Sequence, residues 1–154
     1  MIQRIQTVFL FLAIIALGAF NYFPYWIVKP GTVGEGASLM TYGFAGEVEG
    51  EFFIKYEFYP VVAALSVLAI IIALIEVFMF KNRGAQLKLA VTNSFLMSIN
   101  LAVMVYFVYM LQKEYEGAIG IGVYIMAFAM VMNMLARRFI QKDERLVRSV
   151  DRLR

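Results

Sequence analysis

Four stretches of the chain are apolar almost without interruption, and the charged residues gather in the gaps between them. The first runs from Ile5 to Val28 and the second from Phe58 to Phe80, broken only by Glu76. The third runs from Leu89 to Gln112, and the fourth from Gly117 to Ala136, just before Arg137 and Arg138. Crossing a bilayer core takes about 20 helical residues, and each run is long enough. A helix satisfies its own backbone N–H and C=O groups, as lipid requires. The pattern therefore predicts an all-α membrane protein: a four-transmembrane-helix bundle forming one integral domain over residues 1–154, with spans at 5–28, 58–80, 89–112 and 117–136. A signal peptide has an apolar core of about 7–15 residues and a small-residue cleavage site. The first run is longer and ends in the bulky "NYFPYWIV", so it is expected to stay as the first helix.

The loop over residues 29–57 breaks the pattern. "KPGTVGEGAS" is rich in glycine and reads as irregular. In "EFFIKYEF", Phe52, Ile54, Tyr56 and Phe58 alternate with Glu51, Phe53, Lys55 and Glu57, which argues for a strand with one buried face. "SLMTYGF" is its expected partner and "AGEVEG" the turn, giving a small outer β-hairpin over residues 38–58. Two strands alone are marginally stable, so the hairpin is expected to lie on the bundle as a lid. The sharper alternative is a docking surface or cation-attracting mouth built on Glu47, Glu49, Glu51 and Glu57.

Charge orients the spans. Of 14 Lys and Arg residues, eleven fall on one side: Arg4, the link "KNRGAQLK", and seven beyond the fourth run. Only Lys29, Lys55 and Lys113 fall on the other, so both termini are expected to be cytoplasmic. Trp26 and all nine tyrosines lie toward the opposite interface, where such rings favour the headgroup level. Composition agrees, with 62% hydrophobic and 16% charged residues, against about 25% charged in soluble domains. Cysteine and histidine are absent, which excludes disulfides, zinc fingers, haem histidines, thiol nucleophiles and imidazole catalysis. No enzyme activity, catalytic residue, metal or cofactor is expected.

The polar residues inside the runs are the remaining clue. Glu76 is five residues from Lys81, Asn93 five from Lys88, and Asn133 four from Arg137. All three should lie about 6–8 Å below the inner boundary, as one polar layer in which Asn amides donate to the Glu76 carboxylate. Such a layer can fix helix register, with Glu76 reaching toward Lys81, or it can be a proton or cation site. Ala90, Ser94, Ser98 and Ala102, each four apart, form a helix-packing stripe, and "GAIGIG" opens the fourth run with further small residues. Met126, Met130 and Met134 are spaced to hold copper(I) through thioethers, but adaptable packing is the commoner use.

The tail over residues 137–154 reads as a cytoplasmic amphipathic helix continuing or bending from the fourth span. Arg138, Lys142, Arg145, Arg148 and Arg152 are its candidate contacts to anionic lipid or to a partner, at about 1 kcal/mol per basic residue near a membrane surface. An RNA-rich partner such as a ribosome is conceivable on charge alone, but no RNA-binding motif or aromatic stacking platform supports it.

The start "MIQRIQT" and the end "KDERLVRSVDRLR" resemble an uncharacterised Bacteroidota membrane protein family, domain of unknown function 4293, whose members look like small proteins with four predicted membrane helices. The resemblance implies a multi-pass protein of the bacterial inner membrane. It brings no activity and no site residue. The expectation is a non-enzymatic accessory or scaffold subunit of a larger membrane complex, with translocation or secretion machinery one conceivable host. Its partners would be membrane lipids and a membrane protein or a second copy of itself. The alternative is a small transporter or channel component using intramembrane Glu76.

Overall fold

The computed structural model describes residues 3–48, 51–80 and 82–151. Four helices, α1 (Gln3–Phe20), α2 (Pro60–Phe78), α3 (Arg83–Leu111) and α4 (Ile121–Asp151), pack in a ring, each against its neighbours in sequence, with α4 closing on α1. Five short strands lie at one end: β1 (Trp26–Val28), β2 (Ser38–Met40), β3 (Gly43–Val48), β4 (Glu51–Lys55) and β5 (Gly117–Ile119). The chain is mostly helical with one small antiparallel sheet. Helices α2, α3 and α4 are each long and apolar enough to cross a membrane, while the apolar part of α1, Ile5–Phe20, is shorter.

A spacing alternating between three and four residues selects what each helix turns inward. The buried positions are Gln6, Leu10, Ala13, Ala16, Leu17 and Phe20 on α1, and Val62, Ser66, Ala69, Ala73 and Glu76 on α2. On α3 they are Gln86, Ala90, Asn93, Met97, Asn100, Met104 and Leu111. On α4 they are Gly122, Met126, Ala129, Asn133, Ala136, Ile140 and Asp143. Alanines on α1 and α4 let those two helices approach closely, and Phe9 stacks on Phe139 with ring centroids 5.4 Å apart. Inward residues thus mix small, polar and large apolar side chains, with Leu10, Leu17, Phe20, Met97, Met126 and Ile140 fully buried, and many other large apolar side chains point outward.

Helix ends differ from the apolar runs for local reasons. α1 stops at Phe20 instead of running to Val28: the Asn21 amide donates to the Leu17 carbonyl (2.8 Å), and Pro24 cannot continue the ladder. Pro60 opens α2, where its missing N–H costs nothing. α3 starts at Arg83, ahead of Leu89, because Asn82 Oδ1 accepts from the Ala85 N–H (3.1 Å) and caps the helix. α4 continues unbroken into the basic tail.

The expected hairpin is part of a five-stranded sheet in the order β4-β3-β2-β1-β5. "AGEV" is strand, not turn: β3 pairs β2 across a tight turn at Thr41 and Tyr42, and pairs β4 on its other side. Register with β3 sets the buried face of β4. Phe44 faces the bundle, and Phe53, opposite Gly46, shares its face and packs on it (centroids 5.9 Å). Phe52, expected inside, is 71% exposed, and Tyr56 and Phe58 are exposed as well. Glu49 lies outside the described residues. β1 and β5, both read as span, pair with each other. A Cβ on Gly117 would run into the Trp26 ring, and one on Gly120 into the Pro24 carbonyl. The glycines of "GAIGIG" therefore seat the α4 entry on β1 and not on a neighbouring helix.

Candidate functional site

Hydrogen bonds fix how the polar seam residues meet. The Gln86 amide donates to the Glu76 carbonyl (3.1 Å), and the Asn100 amide to the Val62 carbonyl (3.4 Å). Both bonds cross between α2 and α3, which therefore run antiparallel with Glu76 beside Gln86. The Asn133 amide donates to Ser94 Oγ (2.9 Å) and to the Ala90 carbonyl (3.3 Å), tying α4 to α3. On the sheet side, Ser66 Oγ donates to Asn21 Oδ1 (2.8 Å) and ties α2 to the end of α1.

Glu76, Asn93 and Asn133 are all fully buried. They do not form one layer. Glu76 sits level with Gln86, and Asn93 is about 10 Å further along α3 at 1.5 Å per residue. Among the described residues no amide donates to the Glu76 carboxylate; Gln86 bonds its main-chain carbonyl instead. Both Glu76 carboxylate oxygens, Gln86 Oε1, both amide atoms of Asn93, and the Oδ1 atoms of Asn100 and Asn133 are buried without a hydrogen-bond partner. Gln6 Oε1 and Asp143 Oδ2 are in the same condition toward the end away from the sheet.

Of the small-residue stripe, Ala90 is buried and Ser94 half-buried, while Ser98 and Ala102 are exposed. A four-residue step turns about 40° further round the helix each time, so the stripe drifts off the seam. Ser94 and Ser98 instead line a groove of about 400 Å3 between α3 and α4, with Ala127, Met130, Met134 and Arg137. Met126 is fully buried in the core and Met130 packs against it, so the methionines fill space on both sides of α4. Among the described residues no group of three or more acids could hold a metal ion. Arg138, Lys142 and Arg145 are exposed along α4; the Arg148 side chain and Arg152 lie outside the described residues.

Sequence reasoning missed Gln86, Gln6, Asp143 and Ser66. Gln86 sits among the charged residues of a short link and read as loop; the signal was Asn82, a helix cap three residues before Ala85. Asp143 and Gln6 lie at the junction with the basic tail, where a polar residue draws no notice. Only the heptad seam singles them out.

The sequence matches the family described as Domain of unknown function (DUF4293) over residues 2–153. No curated protein matches it.

Proposed function

The chain belongs to the DUF4293 family, and from that premise we propose a multi-pass protein of the bacterial inner membrane, serving as a non-enzymatic accessory or scaffold subunit of a larger membrane complex. Large apolar side chains on the outer helix faces support a lipid setting: Ile15 is 65% exposed and Phe95 69%, while several polar side chains are buried in the seam between the helices. In water such faces would drive association; in lipid they are ordinary solvent contacts. α1 crosses with the others. Its apolar part, Ile5–Phe20, spans about 24 Å, somewhat short of the ~30 Å hydrocarbon core, and α1 packs along α4. The weight of Lys and Arg at the end away from the sheet supports a cytoplasmic setting for that end and for both termini.

The observation that carries the accessory reading is the apolar groove between α3 and α4. Ser94, Ser98 and Ala127 keep its floor low, which is what a transmembrane helix of a partner needs for close backbone approach. The test is capture of the tagged protein from gently solubilised membranes, beside a variant in which Ala127→Leu and Ser98→Leu fill the groove. A stoichiometric membrane partner lost from the variant supports the reading, and self-capture lost in the same way identifies a second copy as the occupant. A protein that comes out alone overturns it. A second reading, a transporter or channel component, is favoured by one observation: the fully buried Glu76 carboxylate without a hydrogen-bond partner. Loss of flux in proteoliposomes on Glu76→Gln would support it, and unchanged flux would remove Glu76 from any mechanism.

A further inference from the structure

The edge strand β4 leads into α2, and the turn between them lies against the end of α3. A pocket of about 120 Å3 sits in that corner, with room for several water-sized groups. Phe44, Tyr59 and Tyr115 give it aromatic walls, and Glu57 and Glu114 give it two carboxylates. Phe44 and Tyr115 meet with ring centroids 5.4 Å apart, and Tyr59 is braced edge-on against Phe107 at 5.0 Å. Tyr59 is only 8% exposed, yet among the described residues no group hydrogen-bonds its hydroxyl. That hydroxyl lies within electrostatic reach of Glu57, Glu114 and Tyr115, so the polar groups of the pocket converge. The neighbouring cations are engaged elsewhere. Lys113 sits over the Tyr109 ring (4.9 Å), and Lys29 pairs with Glu116 (3.9 Å). Lys55, opposite Phe44 in the sheet, borders the pocket, but among the described residues it forms no ion pair with Glu57 or Glu114. Two carboxylates and one lysine leave one negative charge uncompensated.

We infer that this pocket binds a primary ammonium group on a short carbon chain, with the Glu57 and Glu114 carboxylates and the Tyr59 oxygen accepting from its N–H groups and the rings packing on its carbons. A primary ammonium has three donors, and three oxygen-bearing side chains meet them. Aromatic faces also attract a cation. A divalent metal ion of the calcium class would want about 6–8 oxygen ligands, more than two carboxylates and a phenol offer. The pocket stands where α2 begins and α3 ends, which is headgroup level for helices that span a bilayer. The same ammonium chemistry therefore has two sources, the ethanolamine headgroup of a phospholipid and a small amine in solution. The site is separate from the groove between α3 and α4, so it stands or falls independently of the accessory role.

The test is isothermal titration of the full-length protein in mild detergent with ethanolammonium chloride, against a sodium chloride blank at the same pH and ionic strength. Saturable binding at millimolar concentration or below is expected. Glu57→Gln and Glu114→Gln, both at exposed positions, should fold and weaken binding by about tenfold each, as loss of a charge-assisted hydrogen bond requires. Choline, whose ammonium has no N–H, should bind far more weakly. Nanodiscs separate the sources. A thermal midpoint higher in phosphatidylethanolamine than in phosphatidylglycerol, for the wild type and not for the variant carrying both Gln substitutions, assigns the group to a lipid headgroup. A midpoint indifferent to lipid, with ethanolammonium binding intact, assigns it to a soluble amine. Neither amine binding nor headgroup dependence overturns the proposal. So does binding that survives both Gln substitutions together, or choline binding as tightly as ethanolammonium. Binding seen only after Lys55→Met overturns it as well, because the pocket's own lysine then fills the site.

Discussion

At the sheet end of the bundle, Trp26, Phe44, Phe53 and Tyr115 lie against one another with ring centroids 5.4–6.5 Å apart, and glycines let backbone and ring meet directly. At the other end the seam is Glu76, Gln86, Asn93, Asn133, Gln6 and Asp143, all buried. The unpartnered groups differ in kind too. Among the described residues the sheet end holds the Tyr25 hydroxyl, the Trp26 N–H and Asn100 Oδ1, whereas the far half holds oxygens and Asn93 Nδ2. Shape complementarity specifies the first region, since few side chains fill its space. Hydrogen bonding specifies the second, where steric demands are mild and register is set by which amide meets which carbonyl. Stability should therefore reside mostly in the sheet half and helix register in the polar half.

The widest separation between the two regions should come from Trp26→Ala. Trp26 is fully buried between β2 and β5, and removing such a side chain costs about 3–5 kcal/mol. Thermal unfolding in detergent should show a larger fall than substitution of any single polar seam residue. Gly117→Ala comes next. Its new methyl must displace the Trp26 ring, and overpacking of that kind costs about 1–3 kcal/mol. Trp26 fluorescence should shift with it, because the ring has to leave its dry pocket. If Gly117→Ala leaves both stability and fluorescence unchanged, the sheet end is looser than its contacts imply.

The helical layout was legible because charges are excluded from the runs and concentrated in the links. The strands β1 and β5 were not. "WIV" and "GAI" are only three residues long and share the apolar composition of the helices they adjoin, so neither length nor periodicity separates them. Pro24, close before β1, was the one local mark that α1 had ended. The face of β4 was misjudged because alternation alone does not say which set is buried; the partner strand decides, and Phe53 follows Phe44. Of the candidate polar groups, Glu76, Asn93 and Asn133 were legible as polar residues in apolar surroundings. Their partners were not, since depth counted from the nearest cation ignores how far α3 extends toward Arg83. The stripe from Ala90 to Ala102 was a true spacing on the wrong period.

Smaller effects test the polar half. Asn133→Leu removes the bonds to Ser94 and Ala90 and keeps the number and branching of the side-chain heavy atoms. Interhelical hydrogen bonds in lipid average about 0.6 kcal/mol, so its effect on thermal stability should be several-fold below that of Trp26→Ala. Register should suffer more than stability: a cysteine pair placed across α3 and α4 is expected to crosslink over a broader set of neighbouring positions than in the parent. Ser98→Ala should do least. Its hydroxyl donates to the Ser94 carbonyl of its own helix and lies exposed on the groove, so the change should stay within about 0.5 kcal/mol and leave the crosslinking pattern narrow. The two variants together decide which line of residues joins α3 to α4. If Ser98→Ala costs as much as Asn133→Leu, the four-residue stripe joins the helices; if only Asn133→Leu broadens the crosslinks, the heptad seam does, and the groove beside it is left free for another helix.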